Sequence, residues 1–73
     1  MANLFFPKKI IKKMKDLGIS ESDIYDVFYN GVEIEGKNGM YRKYNGYEIG
    51  FFYVVDDLTN EFRLIAVWKR DRR

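Results

Sequence analysis

Apolar residues near the start of the chain recur with helical spacing. One apolar stripe follows the spacing i, i+1, i+4 and i+7 and consists of Ile10, Ile11, Met14 and Leu17. The stripe predicts a helix from about Pro7 to Leu17. Proline suits the first position of a helix because the N–H that it lacks would have no partner there.

A second helix is predicted shortly after Gly18, which suits the left-handed residue that ends many helices. Ser20 is the expected N-cap, and Asp23 three residues later completes a variant of the capping box. Asn30-Gly31 predicts the end of this helix. The residues predicted to face inward are Ile24, Val27 and Phe28. The short connection between the two helices predicts a compact αα-hairpin.

From Val32 the spacing of apolar residues changes to two, which predicts strands. The predicted strands cover residues 32–35, 40–44, 47–55 and 62–68. Two Asn-Gly pairs, at Asn38-Gly39 and Asn45-Gly46, predict tight type I′ hairpin turns. Residues 47–55 are apolar on both faces apart from Glu48 and predict a central strand.

Together these elements predict one α+β domain over residues 1–73. Its N-terminal αα-hairpin packs on one face of a three- to four-stranded antiparallel β-meander. The other face of the sheet is left open. Because the central strand carries large side chains on both sides, the open face must be covered or must bind something. The segment from Lys69 to Arg73 is predicted to be a frayed basic tail.

Two residue types missing from the chain restrict its chemistry. The 73 residues include no Cys and no His. Disulfides and thiolate sites are therefore excluded, and the commonest general base is absent. A metal site would need carboxylates alone, so neither a metal ion nor another cofactor is expected. No apolar run approaches the length of about 18 residues that a membrane span needs, and no secretion signal is visible, so a cytoplasmic location is expected.

Charge is strongly segregated along the chain although the formal net charge is only +2. Residues 1–15 contain five Lys and no acid, and residues 16–35 contain six acids and no base. Residues 63–73 contain five basic residues, and Asp71 is their only acid. Basic blocks attract nucleic acid, whereas an acidic block favours a basic protein partner.

The segment from Lys9 to Ser20, KIIKKMKDLGIS, resembles the opening of a family of small bacterial domains. That opening reads His-Ala, Arg-Met and Arg-Gly-Ile-Ser before an acidic helix that ends in Asn-Gly. Over residues 5–69 the layout also resembles the BrnT toxins, including the final FRLIAVWK. Both groups belong with the RelE/ParE-like toxins. Lys9 stands where the family has His, and Lys13 stands where it has Arg.

This resemblance implies a RelE-like fold and a toxin-type domain that acts on RNA and is neutralised by an antitoxin or other protein partner. RNA cleavage needs a base for the ribose 2′-OH, cations for the phosphate and an acid for the 5′-oxygen, and none of these must be His or a metal ion. The candidate catalytic residues of such a metal-independent endoribonuclease are Lys9, Lys13, Arg63 and Tyr44. The candidate RNA-binding residues are Lys12, Arg42, Lys69 and Arg70.

Spacing predicts which of these candidates share a surface. Three lysines of the first helix lie at i, i+3 and i+4, namely Lys9, Lys12 and Lys13. Arg63 and Lys69 have an even separation on the last strand, which predicts one face, and so do Arg42 and Tyr44 on their strand. If the first helix ends beside the open face, these residues line one basic groove.

Simpler interpretations remain open for each group. The five lysines of the first helix fit a solvated helix face, and the charges on the last strand fit an edge strand protected from aggregation. Four tyrosines offer stacking surfaces for bases but also suit cross-strand packing, namely Tyr41, Tyr44, Tyr47 and Tyr53.

Two other functions therefore compete with the toxin hypothesis. One is a non-catalytic protein-interaction module or small inhibitor on the same fold. The acidic block and the Lys9 that replaces the family's His support this hypothesis. The other is nucleic-acid binding without cleavage, through the basic tail and the first helix.

Overall fold

The structure is a computed structural model that describes residues 3–71. In chain order its elements are β1 (Asn3–Phe5), α1 (Lys8–Leu17), α2 (Glu21–Asn30), β2 (Val32–Glu33), β3 (Gly39–Lys43), β4 (Tyr47–Asp56) and β5 (Glu61–Asp71). The strands form one sheet in the order β1-β5-β4-β3-β2. The α+β class is confirmed, but the sheet has five strands where three or four were predicted.

The additional strand is β1, and it makes the sheet mixed. Asn3, Leu4 and Phe5 pair in parallel with residues 61–63 of β5, whereas the other strand pairs are antiparallel. A strand of three residues is too short to show a period of two, and its partner lies far away in the sequence. The prediction of a purely antiparallel meander is therefore wrong at this edge.

Helix α1 is close to its predicted bounds. Pro7 was predicted as the first helical residue, but it is the N-cap and the helix begins at Lys8. The Pro7 carbonyl accepts the N–H groups of Ile10 and Ile11 at 2.9 and 3.0 Å. Gly18 ends the helix with φ 72°, as its left-handed role predicted. The helix buries Ile10 and Met14, but Ile11 is 38% exposed, so the predicted apolar stripe is too wide.

The local signals of α2 are confirmed. The Ser20 hydroxyl accepts the N–H of Asp23 at 3.1 Å, and the Asp23 carboxylate accepts the N–H of Ser20 at 2.9 Å. This reciprocal capping box satisfies two donors at the start of the helix. Ile24 and Val27 are completely buried, and Phe28 packs against the same core.

The two predicted type I′ turns are wrong in detail. In the loop between β3 and β4 only Gly46 has a positive φ, of 91°, whereas a type I′ turn needs it at both central residues. In the loop before β3 the positive φ of 76° belongs to Gly36, and Gly39 already lies in the strand. The loop from residue 34 to 38 is thus longer than a tight hairpin turn.

Both helices pack on the same face of the sheet, α1 against β5 and α2 against β3 and β4. The largest fully buried side chains are Phe51, Ile24, Ile49, Leu64 and Val27. Strand β4 is paired on both sides, which confirms that it is central. The face of the sheet away from the helices is called the open face below.

A β-bulge interrupts β5 and changes which of its side chains reach the open face. Phe52 pairs with Ala66 and Tyr53 pairs with Leu64, so Ile65 is the extra residue. Since side chains alternate along a strand, one extra residue reverses the alternation beyond it. The bulge therefore determines on which face of the sheet each charged residue of β5 lies.

Candidate functional site

Three rows of side chains cross the open face over β3, β4 and β5. Directly paired residues of neighbouring strands point to the same side of a sheet. The rows are Lys43–Glu48–Arg70, Tyr41–Gly50–Trp68 and Gly39–Phe52–Ala66. The first row brings a carboxylate between two cationic residues, and the other two combine aromatic rings with very small residues.

Glu48 is the buried acid of this surface, with 5% of its area exposed. Its Oε2 accepts the indole N–H of Trp68 at 3.0 Å and lies 3.4 Å from Nε of Arg70. A buried carboxylate is costly unless cations or hydrogen-bond donors compensate for its lost hydration. Trp68 and Arg70 supply that compensation for Glu48. Lys43 of β3 is the cross-strand neighbour of Glu48 on the other side.

The indole of Trp68 lies with a face over Gly50. Three consecutive ring atoms, Cε2, Cζ2 and Cη2, lie closer than 3.0 Å to the position that a Cβ on Gly50 would occupy. Only a residue without a Cβ allows this approach, so the Trp68 ring can occupy this place only because residue 50 is glycine. The indole is thereby held parallel to the sheet, while its N–H reaches Glu48.

Phe52 repeats this arrangement in the next row. Its ring atoms Cδ1 and Cε1 lie closer than 3.0 Å to the Cβ position of Gly39. The Phe52 and Trp68 ring centroids are 5.2 Å apart. The ammonium of Lys37 lies 5.9 Å from the Phe52 centroid, within the range of a cation–π contact.

Two adjoining clefts open beside the Trp68 ring. One, of about 250 Å³, is lined by Ile34, Tyr41, Lys43, Glu48, Trp68 and Arg70. The other, of about 440 Å³, shares Ile34, Trp68 and Arg70 with it and extends over Phe52. The clefts therefore give access to the Glu48 carboxylate on one side of the indole and to Phe52 on the other.

The sequence-predicted residues of α1 lie elsewhere. Lys9 and Lys13 are exposed and line a groove of about 280 Å³ with Ile10 and residues 65–67 of β5. Lys12 is exposed on the same helix. This groove lies between α1 and β5, whereas the Glu48 row lies on the sheet face opposite the helices.

The predicted pairing of Arg63 and Lys69 on one face is wrong. Arg63 pairs with Val54 and Lys69 pairs with Ile49, and these two positions of β4 point to opposite sides. The cause is the bulge at Ile65, which turns an even separation in sequence into opposite orientations. Arg63 lies on the open face, with its guanidinium 5.0 Å from the centroid of Phe5, while Lys69 is on the helix side, 5.1 Å from the centroid of Tyr47.

Arg42 and Tyr44 share a face, as predicted, and both bind Asp26 of α2. The Arg42 guanidinium forms an ion pair with Asp26, and the Tyr44 hydroxyl donates to Asp26 Oδ2 at 2.5 Å. Asn30 donates to Oδ1 at 2.9 Å. The Tyr44 hydrogen bond, followed by that of Asn30, lowers the pKa of Asp26. Burial and the hydrogen bond to Asp26 raise the pKa of Tyr44 to about 12, so this hydroxyl keeps its proton at neutral pH.

This network predicts a pH-dependent contribution of Asp26 to stability. Because folding lowers its pKa below the ordinary value of 3.8, the contribution is present above that value and is lost as the pH falls through the folded pKa. We expect Asp26→Asn to destabilise the protein at pH 7 and the difference from wild type to shrink towards pH 3. Urea unfolding across that range measures it.

Asp57→Asn is the control for the loss of one negative charge, since Asp57 is exposed in the turn before β5. A difference between wild type and Asp26→Asn that stays constant from pH 7 to pH 3 would show that the charge of Asp26 does not stabilise the fold.

Most of the tyrosines considered for base stacking are packed within the protein. The rings of Tyr44 and Tyr47 stack with centroids 4.9 Å apart, and Tyr53 packs on Phe51 and Phe62. Tyr41 differs, because it lies in the middle row of the open face beside Gly50. The packing interpretation therefore fits three of the four.

The structure thus does not bring the four predicted catalytic residues together. Of the predicted RNA-binding residues, only Arg70 belongs to the Glu48 row. The site residues that the sequence analysis missed are Lys43, Glu48 and Trp68. A signal for Glu48 was present, because it is the one charged residue in the apolar run 47–55, and an acid in a central strand requires a partner.

No protein-family model matches the chain, and neither a curated protein nor a solved structure matches it. Across residues 3–71, acidic side chains do not form a group of three or more that could hold a metal ion. Within the same range neither helix is long and apolar enough to cross a membrane. The geometry of the open face is therefore the basis for a functional proposal.

Proposed function

We propose that this chain is a toxin-type domain that binds single-stranded RNA on its open face and cleaves it there without a metal ion. The observation that carries the proposal is the row Lys43–Glu48–Arg70, in which a buried carboxylate lines a cleft between two cationic residues. Cleavage of RNA by its own 2′-OH requires a base and phosphate-binding cations, which are the residue types of this row.

In the proposed reaction Glu48 takes the proton of the 2′-OH. The 2′-oxygen then attacks the adjacent phosphorus, and the bond between phosphorus and the 5′-oxygen breaks. The leaving 5′-oxygen takes a proton from the ammonium of Lys43, since the guanidinium of Arg70 does not release a proton in proteins. The products are a 2′,3′-cyclic phosphate and a free 5′-OH, and the proton on Glu48 returns through solvent to Lys43.

Arg70 has a different role in this scheme. Negative charge builds up on the phosphate oxygens as the 2′-oxygen approaches, and fixed positive charge at that place stabilises the transition state. Arg70 is exposed and its Nε lies 3.4 Å from the carboxylate, so an RNA phosphate can reach the rest of the guanidinium. The planar group suits a phosphate because it can donate two parallel hydrogen bonds.

The proposed reaction takes place away from the four catalytic residues that were predicted from the sequence. Arg63 lies on the open face but beside Phe5 of β1, and Tyr44 is bound to Asp26. A hydroxyl with a pKa of about 12 is a poor base at neutral pH. Lys9 and Lys13 lie on the helix side, where they attract RNA electrostatically without reaching the Glu48 row.

A domain that cleaves cellular RNA harms its own cell unless its activity is restrained, and a protein partner is one means of restraint. We include such an antitoxin-like partner and a cytoplasmic location in the proposal. Acidic residues of α2 and β2 give a basic protein partner negatively charged positions to bind, away from the proposed RNA site. These residues are Glu21, Asp23 and Glu33.

The test is direct incubation of the purified chain with a labelled single-stranded RNA, with and without a chelator. We expect fragments that end in 2′,3′-cyclic phosphate and begin with 5′-OH, formed at the same rate in EDTA. A double-stranded RNA of the same sequence is the matched substrate control, because its ribose and phosphate geometry is fixed in the helix, and we expect it to be cut far more slowly.

Two results contradict the proposal. If the folded chain binds the RNA but leaves it intact, the open face is a binding surface without catalysis. If it neither binds nor cleaves RNA, a non-catalytic protein-interaction module becomes the better account of the same surface.

A further inference from the structure

The Trp68 ring lies on the open face of the sheet and does not belong to the buried core. One face of the indole lies over Gly50, while the ring borders both clefts of the open face. A ring that filled a core would be packed on both faces. This ring is held flat on the sheet, with its edge fixed by the hydrogen bond from its N–H to Glu48.

From this geometry we infer that Trp68 is the stacking platform for one unpaired base of a single-stranded nucleic acid, next to the phosphate held by the Glu48 row. The inference deepens the proposed function and rests on it in placing RNA on the open face. It adds the residue that holds a base, and it gives a reason for the restriction to single strands, because a base inside a duplex has no free face for an indole.

Phe52 is less suited to the same task. The ammonium of Lys37 lies over its ring, at 5.9 Å from the centroid, and Ile34 lines the cleft beside it. The Trp68 indole is also the larger ring. Phe52 instead supports Trp68 at 5.2 Å, and Lys37 places one more positive charge at the edge of the platform.

The charges around the platform fit a polyanion. Among residues 3–71, the basic residues on or beside the open face are Lys37, Lys43, Arg63 and Arg70. The charge of Glu48 is compensated by Arg70 and Trp68. The other acids of this face, Asp56 and Glu61, are cross-strand neighbours at the far end of β4 and β5. A nucleic acid supplies negative phosphates and flat bases together, whereas an acidic peptide supplies only the charge.

Trp68 is the only tryptophan of the chain, so its fluorescence reports on the platform itself. The probe is a short 2′-O-methyl RNA, which offers bases and phosphates but has no 2′-OH to react. We expect saturable quenching of Trp68 by the single-stranded oligomer and little quenching by the same oligomer in a duplex. Cleavage of ordinary RNA is measured separately.

The contribution of the Trp68 ring to RNA affinity is measured with the Trp68→Ala variant, using the fluorescence anisotropy of a labelled oligomer. We expect the affinity to fall by roughly 5- to 150-fold, the range that loss of one stacked base commonly produces. Trp68→Phe keeps a smaller ring and is expected to lose less. Tyr29→Ala removes an exposed aromatic ring from α2 and is expected to leave the affinity unchanged. Circular dichroism confirms that each variant is folded.

Several outcomes would overturn the inference. In the fluorescence experiment these are equal quenching by duplex and single strand, or saturable quenching by an acidic peptide but not by the oligomer. In the binding experiment it is unchanged affinity in a folded Trp68→Ala variant. A dimer that buries Trp68 in the absence of nucleic acid would also overturn it. Cleavage without quenching would refute the platform but leave the proposed function standing. Quenching without cleavage would support the platform but contradict the proposed cleavage.

Discussion

Replacing Gly50 with valine is expected to destabilise the protein by about 3 kcal/mol, at the upper end of the usual cost of overpacking. The backbone at Gly50 does not have a positive φ, and valine is a good strand former, so the main chain itself would accept the change. The cost arises because a Cβ at this position would overlap the indole of Trp68. Urea unfolding followed by circular dichroism measures the loss.

The matched control places the same valine in a protein without the indole. In the Trp68→Ala background we expect Gly50→Val to cost less than in wild type by about 1 kcal/mol or more, since residues in direct contact show coupling of this size. An equal cost of valine in both backgrounds would mean that the Trp68 ring does not lie over Gly50.

Replacing Glu48 with glutamine is expected to lower the rate of RNA cleavage by roughly 10²- to 10⁴-fold, the usual contribution of a general base. Glutamine has nearly the same shape and can still accept the indole N–H of Trp68 through its amide oxygen. It cannot take the proton of the 2′-OH. The cleavage rate under saturating RNA, with binding measured separately, distinguishes loss of the base from loss of affinity.

Glu33→Gln is the control for this experiment, because Glu33 is an exposed acid on β2 and pairs with Met40 on the helix side. A folded Glu48→Gln variant that cleaves as fast as Glu33→Gln would reduce the carboxylate to a structural role, in which it compensates Arg70 and anchors Trp68. The stability of the two variants, compared by urea unfolding, tests that role directly.

The helices could be predicted from the sequence because their signals are local. Ser20 and Asp23 determine the start of α2 through bonds across three residues, and Gly18 ends α1 through its own backbone conformation. The central position of β4 was also predictable, since a long strand with apolar residues on both faces is typical of the middle of a sheet. None of these features depends on distant residues.

The site depended on information that no local pattern contains. The extra residue at Ile65 reverses the faces of β5, so Arg63 and Lys69 separate although their spacing predicts that they lie together. The overlap of Trp68 with Gly50 is set by the register of two strands, and that register depends on the loops. Glu48 was visible as a charge in an apolar strand, but its partners Trp68 and Arg70 appeared only with the pairing of β4 and β5.

The parallel pairing of β1 with β5 has a consequence for how the chain folds during its synthesis. Residues 3–5 leave the ribosome long before residues 61–63 are made, yet residues 61–63 are their partners in the sheet. Contacts between segments so distant form late, because the entropy of the intervening chain must be overcome first. The two helices and the hairpin of β3 and β4 consist of contacts that are closer in sequence, and they are expected to form earlier. Until β5 is complete, the nascent chain displays the lysines of α1 but has neither Trp68 nor Arg70, so it would attract RNA before it has a surface on which to hold it.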